Sequence, residues 1–241
     1  MGRIKEAIVL AGGLGTRLRS AVAELPKCLA PVGGRPFIGY VTDYFRREGI
    51  EKFIFALGYK SSYFDDFFRT AFPDGGYDIS LEEQPLGTGG AIRQACGLAT
   101  EKTVLILNGD TFFRVGLAAL SDFHDNRQAD CSLCLKPMQD FDRFGVVELG
   151  EGQQVLDFRE KQYYTAGLIN GGVYALNRTH FLQEGLPEKF SFEKDYLESF
   201  YTRRRFFGLV QDSYFIDIGI PEDYERVQRE VMMMTAIKQK P

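Results

Sequence analysis

Apolar and polar positions alternate between two periods along the first half of the chain. Ala7 to Ala11 is an unbroken apolar run that reads as a buried strand and stops in glycines. Pro36 to Glu48 switches to helical spacing, with Phe37, Tyr40, Val41, Tyr44 and Phe45 on one stripe and Gly49 placed as a C-cap. Lys52 to Leu57 returns to strand and ends at Gly58-Tyr59-Lys60, after which Ser61 is expected to cap a helix over Ser62 to Phe72. A short strand through Ile79 to Leu81 runs into a glycine-rich turn, and a helix starts near Thr88 and continues through Ala95. Thr103 to Asn108 is again a continuous apolar strand, closing on Asp110, and Gly116 to Arg127 is a helix. Strand–helix alternation of this kind predicts a parallel sheet covered on both faces.

From Asp140 the pattern changes. Arg143 to Glu148 and Gln154 to Phe158 read as short antiparallel strands joined by Gly150-Glu151-Gly152. Leu168 to Leu176 is a strand whose apolar run is broken by Gly171-Gly172, which implies a close approach to the backbone there. Phe190 to Glu198 opens like a capping box at Ser191 in which Lys194 is the wrong partner, with Asp195 near enough to help the helix dipole. Arg203-Arg204-Arg205 reads as a solvated basic turn. Phe206 to Val210 and Tyr214 to Gly219 are two more strands, and Pro221 opens the last helix, whose Met232-Met233-Met234 packs in part.

Composition narrows the class. The 241 residues are 44% hydrophobic and 26% charged, which suits a globular domain of one large core. A net charge of −4 gives no general affinity for nucleic acid, so phosphate binding must come from locally placed Arg and Lys. The start of the chain leads directly into the first strand and no apolar run reaches membrane-spanning length, so a cytoplasmic protein without a membrane partner is expected. Cys131 and Cys134 form a C-x-x-C, but on a strand they point to opposite faces and read as buried structural thiols. Cys28 and Cys96 complete the set.

The candidate chemistry begins where the first strand stops. Gly12, Gly13 and Gly15 let the backbone turn tightly, its N–H groups can cup an anion, and Arg17 and Lys27 add positive charge. Gly13 and Gly15 are followed by Leu18 where a dinucleotide fingerprint needs its third glycine, and no P-loop string occurs. A nicotinamide-dependent oxidoreductase is thereby disfavoured. Asp110 ends an apolar strand at the side of the sheet where ligands gather and suits either a hard cation or a plain turn, and Asp217 punctuates a later apolar run in the same way. Pro85, Gly87 and Thr88 read by themselves as an ordinary loop and N-cap, although glycines there could also admit a flat ring whose edge Glu82, Glu83 or Gln84 would read. A carboxylate there suits guanine and an amide suits uracil, so the residues leave the base open.

The string A-G-G-x-G-T-R-L followed by Pro26-Lys27, with four later motifs in order up to about Tyr224, resembles the sugar nucleotidyltransferases (nucleoside-diphosphate-sugar pyrophosphorylases). Within that family Asn108 to Phe113, Leu168 to Tyr174, Phe190 to Asp195 and Tyr214 to Gly219 are most similar to guanylyltransferases acting on a heptose 1-phosphate. Mannose 1-phosphate and glucose 1-phosphate remain alternatives, as does a catalytically silent sensor of nucleotide sugars. One departure is Cys28-Leu29, where relatives often carry Pro-Met. The resemblance implies a Rossmann-like α/β fold, a mixed and mostly parallel sheet flanked by helices (GT-A-like), with a small antiparallel sugar-binding part. It implies one domain over 1–241, with a nucleotide-binding half over about 1–137 and a sugar-phosphate half over about 138–241.

It further implies a nucleotidyl transfer that supplies nucleotide sugars for surface polysaccharide, with small-molecule substrates, Mg2+ and no nucleic acid; self-association is left open. The nucleotide would lie against Leu10, Ala11, Gly12, Gly13, Gly15, Thr16, Arg17, Lys27, Gln84, Pro85, Gly87, Thr88, Asn108 and Gly109. The sugar phosphate would meet Gly145, Glu160, Lys161, Asn170, Gly171 and Gly172, with Lys161 on the phosphate. Arg17, Lys27, Asp110, Lys161 and Asp217 would be catalytic, and Asp110 and Asp217 the metal ligands.

Overall fold

The computed structural model describes residues 2–13, 25–58 and 61–235. Its strands and helices run β1 (Glu6–Leu10), β2 (Pro31–Val32), β3 (Arg35–Pro36), α1 (Phe37–Glu48), β4 (Lys52–Leu57), α2 (Asp65–Ala71), β5 (Tyr77–Leu81), α3 (Gly87–Cys96), β6 (Thr103–Asn108), β7 (Thr111–Phe113) and α4 (Leu117–Asn126). There follow β8 (Cys131–Phe141), β9 (Val146–Leu149), β10 (Val155–Arg159), β11 (Tyr164–Asn177), α5 (Arg178–Leu182), α6 (Glu198–Phe200), β12 (Phe206–Val210), β13 (Phe215–Asp217) and α7 (Pro221–Thr235).

The main sheet has the order β10-β9-β11-β6-β1-β4-β5, with β8 paired to β11 and β12. β6, β1, β4 and β5 are mutually parallel. β11 then runs antiparallel to β6, β8 and β9, while β12 returns parallel to β8. The expected mixed sheet, parallel over β6, β1, β4 and β5 and antiparallel beyond, is what the chain forms.

Strand alternation sends side chains into two cores. Ala7, Val9, Phe53, Phe55, Leu57, Leu105 and Leu107 point into one, closed by α1, α2, α4 and α7. Ile8, Ile54, Ala56, Val104 and Ile106 point into the other, closed by α3 and α5. The many phenylalanines are core: Phe55 alone meets Phe67, Phe68 and Phe72 edge-on, and Phe68 stacks on Tyr77 at 4.5 Å. Cys134 lies in the first core and Cys131 in the second, so the C-x-x-C is two buried thiols on opposite faces. Gly49 caps α1 with φ of 119°, as expected.

Several local expectations change. A 3-10 turn, Ser61–Phe64, precedes α2, so Ser61 stands a turn before the helix start, where Phe64 has no side-chain oxygen to cap it. The segment Phe192–Leu197 winds as a π-helical turn, and its wider register is what makes Asp195 the capping partner. Ser191 Oγ accepts from Lys194 N at 3.2 Å and Asp195 Oδ2 accepts from Ser191 N at 2.7 Å. The basic turn is anchored and not simply solvated: Arg204 pairs with Glu184 at 2.6 Å and Arg205 N donates to Asp130 Oδ2 at 2.9 Å. Met234 is buried while Met232 and Met233 are exposed. Among the described residues no helix is long and apolar enough to cross a membrane.

One buried group gives the fold a pH dependence. His124 on α4 is 3% exposed, with Nδ1 3.0 Å from Ser132 Oγ, and burial pushes its pKa down from 6.5 to about 4. Between those values the unfolded chain binds the extra proton, so stability is complete above about pH 6.5 and falls as the pH drops toward about 4. Moving from pH 7 to pH 4.5 should cost wild type about 2 to 3 kcal/mol more than His124→Gln, read from urea unfolding at both values. Equal losses in the two proteins would show that His124 does not carry this dependence.

Candidate functional site

The site forms where the parallel strands end. β1 leaves the sheet at Leu10 and the chain enters Gly12-Gly13; β6 leaves at Asn108 and turns through Gly109. Gly109 N donates to Leu10 O at 2.9 Å, and a Cβ on Gly109 would lie 2.7 Å from that oxygen. Only glycine allows the two strand ends to sit this close. Past Gly109 the chain forms β7, whose antiparallel partner β13 sets Asp217 opposite Thr111 and so beside Asp110. Pro26 leads into a 3-10 turn, Lys27–Leu29, that delivers Lys27 to the same point.

These three residues form the centre of charge. Lys27 Nζ lies 2.6 Å from Asp110 Oδ2 and 3.3 Å from Asp217 Oδ1. Thr111 Oγ1 donates to Asp110 Oδ1 at 3.3 Å. Burial, then the Asp110 charge, raise the Asp217 carboxyl above its ordinary range; Lys27 opposes both. One ammonium therefore balances two carboxylates, and the pair retains an appetite for positive charge. Among the described residues no group of three or more His, Cys, Asp or Glu side chains could by itself hold a metal, so any ion here would be completed by substrate oxygens or water.

A cavity of about 370 Å3 opens beside the cluster. Asn108, Thr111 and Asn170-Gly171-Gly172 line it from the sheet, and Lys161 from the turn between β10 and β11. Arg143 and Phe144, Glu193 from the π-helical turn, and Phe215, Asp217 and Ile220 complete the walls. The glycine break in β11 is a shift of register between Asn170 and Tyr174. Gly172 has φ of +69°, its N–H donates to Asn170 Oδ1 at 3.1 Å, and its missing Cβ leaves room for Asn108. At Gly171 a Cβ would sit 2.4 Å from the Phe113 ring. The close approach anticipated at these glycines is therefore made by the protein's own side chains.

Of the residues singled out in the sequence, Lys27, Asp110 and Asp217 are brought together, and Lys161, Asn170, Gly171, Gly172 and Asn108 share the adjoining cavity. Leu10, Ala11, Gly12 and Gly13 lead out of β1 beside them, and a Cβ on Gly12 would lie 3.3 Å from Glu82 Oε1. Gly15, Thr16 and Arg17 lie outside the described residues. Glu160 is not among the lining residues; it is exposed, and its carbonyl accepts from the Tyr164 hydroxyl at 2.9 Å. Gly145 also stands back from the lining, where a Cβ would collide with Arg159 O at 2.5 Å.

The turn expected to meet the base has a second role. Gln84 and Pro85 are exposed, and Glu82 Oε2 accepts from Leu86 N at 2.9 Å. The glycines that follow face protein: a Cβ on Gly87 would meet Phe190 O at 2.5 Å, on Gly89 the Phe190 ring at 2.2 Å, and on Gly90 Glu188 O at 2.5 Å. The Thr88 hydroxyl accepts from Phe192 N at 2.9 Å. These three glycines therefore have a packing role of their own. Arg143, Phe144, Glu193, Thr111, Phe215 and Ile220 were not anticipated as cavity residues. Arg143 and Phe144 adjoin Gly145 in sequence, which was a usable signal; Glu193 reads only as the opening of a helix.

Comparison with known proteins identifies the family and the fold. The nucleotidyl transferase family profile matches residues 6–233. A D-glycero-α-D-manno-heptose 1-phosphate guanylyltransferase of Aneurinibacillus thermoaerophilus is 46% identical over 94% of this chain and 98% of its own. One of the same name from Campylobacter jejuni is 41% identical over 91% and 96%. The crystal structure of HddC from Yersinia pseudotuberculosis superposes with a TM-score of 0.85 at 32% identity, covering 95% of this chain and all of that one. A second crystal structure of HddC, complexed with GMP-PN, superposes with a TM-score of 0.83.

Proposed function

The chain belongs to the nucleotidyl transferase family, and from that premise we propose that it transfers GMP from GTP to D-glycero-α-D-manno-heptose 1-phosphate, releasing pyrophosphate. The observation that carries this reading is the meeting of Lys27, Asp110 and Asp217 at the edge of a cavity that also holds Lys161 and Asn170. The heptose and the guanine rest on the printed names of its relatives. The GDP-linked sugar would serve surface-polysaccharide synthesis.

An oxygen of the sugar 1-phosphate attacks the α-phosphorus of GTP in line, a new P–O bond forms, and the bond to the β-phosphate bridging oxygen breaks. The nucleophile is already an anion, so no general base is required. The barrier is the mutual repulsion of two polyanions brought into contact, and fixed cations lower it. Lys27 and Arg17 are assigned to the triphosphate and Lys161 to the sugar phosphate. Leu10 to Gly13, Gly15 and Thr16 would supply the turn around the phosphates, with Asn108 and Gly109 beneath, and the Gln84 to Thr88 turn would flank the base. Gly145, Glu160, Asn170, Gly171 and Gly172 are assigned to the sugar side, Glu160 requiring movement to reach it.

The donor set fits a hard divalent cation such as Mg2+: two carboxylates converge and one of them, Asp217, is held above its ordinary pKa by burial and by its neighbour's charge. Asp110 and Asp217 would hold the ion, which supplies Lewis-acid neutralisation of phosphate charge. Lys27 is poised to exchange these carboxylates for phosphate oxygens.

Pyrophosphate release measured for GTP, UTP, CTP and dTTP against heptose, mannose and glucose 1-phosphates tests the proposal. GTP with the heptose 1-phosphate should give the highest kcat/KM, by about tenfold or more over any other pair. Release from no pair would leave the silent sensor as the better reading, and a preference for UTP would overturn the guanylyl assignment.

A further inference from the structure

The cavity contains a carboxylate that the charge cluster does not use. Glu193 lines it from the π-helical turn and, among the described residues, makes no ion pair. The cavity's arginine does not neutralise it, because Arg143 is paired with Asp223. The polar partner recorded for Glu193 is the Tyr174 hydroxyl, 3.5 Å from Oε1. Tyr174 is buried on β11, and burial keeps its phenol protonated and able to donate. An unneutralised carboxylate repels a phosphate, so the part of an anionic ligand that can approach Glu193 is the neutral, hydroxyl-bearing part. Carboxylate oxygens accept hydroxyl hydrogens strongly and can take two from neighbouring carbons.

Its position is also built with care. The chain from Phe190 to Phe192 is stitched to the start of α3 by three hydrogen bonds: Gly89 N to Phe190 O at 2.9 Å, Phe190 N to Leu86 O at 3.0 Å, and Phe192 N to Thr88 Oγ1 at 2.9 Å. The missing side chains of Gly87, Gly89 and Gly90 are what let the two segments touch. Ser191 and Asp195 then close the first turn of the π segment. A side chain on so constrained a support meets a ligand with little loss of conformational freedom.

We propose that Glu193 is a specificity-determining residue, accepting hydrogen bonds from hydroxyl groups of the sugar phosphate in this cavity while Tyr174 orients its carboxylate. The inference rests on the reading that a sugar 1-phosphate occupies the cavity, and it adds which wall reads the sugar. It also gives the glycine turn Gly87 to Gly90 the task of fixing that wall.

The test compares wild type, Glu193→Gln, Glu193→Asp and Tyr174→Phe by pyrophosphate release with GTP, varying the heptose 1-phosphate and then mannose 1-phosphate. GTP-induced thermal shift serves as the control for folding and nucleotide binding. Glu193→Gln should raise the sugar-phosphate KM by about tenfold, with kcat changed by less than about threefold and the GTP shift unchanged. Glu193→Asp keeps the charge but retracts it by one methylene, and should also raise KM. Tyr174→Phe, which removes the hydroxyl shared by Glu193 and Asn170, should move KM the same way by about threefold. Should Glu193→Gln fail to melt cooperatively, Glu193→Asp carries the test alone. An unchanged sugar-phosphate KM in the folded Glu193 variants overturns the inference, and so does a fall in kcat at constant KM. A wild type that releases no pyrophosphate with any sugar 1-phosphate defeats instead the functional reading beneath it, and does so before any variant is made.

Discussion

Asp110→Asn is expected to lower turnover about a hundred- to a thousandfold while leaving the melting temperature within about 3 °C of wild type. Asn keeps the shape of Asp110 and can still accept from Thr111, but it removes one of the two carboxylates that meet at Lys27. Positive charge gathered there should fall with it, whether carried by Lys27 or by a divalent cation, and with it the means of joining two polyanions. The fold should tolerate the change because Asp217 is strained by the neighbouring Asp110 charge as well as by burial. Relieving that repulsion offsets the ion pair Lys27 loses. Steady-state kinetics beside a thermal melt decide the matter: turnover within tenfold of wild type would remove Asp110 from the proposed chemistry, and a collapse in stability would make it a structural residue.

The largest effect on stability is expected at Gly87→Ala, about 2 to 4 kcal/mol, or roughly 5 to 12 °C in Tm. Two costs combine at this position. Gly87 has φ of +71°, where an L side chain is strained, and its new Cβ would lie 2.5 Å from the backbone oxygen of Phe190. A backbone atom cannot move aside as a side chain can, so the stitched segments must part. Gly34→Ala isolates the first cost, since Gly34 has φ of +83° with nothing within 4 Å of the added atom. It should lose only about 1 kcal/mol. Equal melting temperatures for the two variants would show that the contact at Phe190 contributes nothing. If Gly87→Ala also raises the sugar-phosphate KM more than the GTP requirement, the wall that bears Glu193 has moved.

Much of the architecture was legible along the chain. The first strand, the helix stopped by Gly49, the strand from Lys52 to Leu57 and the apolar strand before Asp110 depend on side-chain period and on local stop residues, which are properties of neighbouring positions. The opposite facing of Cys131 and Cys134 followed from the same period. Asp195 read along the chain only as an acid favourable to the helix dipole; its bond to Ser191 N, and the π winding that makes it fit, were not visible. Ser61 shows the limit of such reading: a hydroxyl before an apolar stripe invites a cap, but the 3-10 turn that seats Phe64 in the core moves the helix start past it.

Sequence by itself settled the α/β class, the alternation of the main strands and helices and the kinds of group available for phosphate chemistry, because each is encoded in spacing over a few residues; the short β2, β3 and β7 and helix α5 were not among them. Tertiary structure alone decided which of those groups meet. Lys27 reaches Asp110 across 83 residues and Asp217 across 190, and the register of β13 on β7 makes that convergence possible. The same holds for the glycines after Leu86, whose close packing against the segment around Phe190 shows only in three dimensions. Glu193 turned from a helix-opening residue into part of a cavity wall for that reason too. Periodicity tells a side chain which face to take; only strand order and register tell it what it will find there.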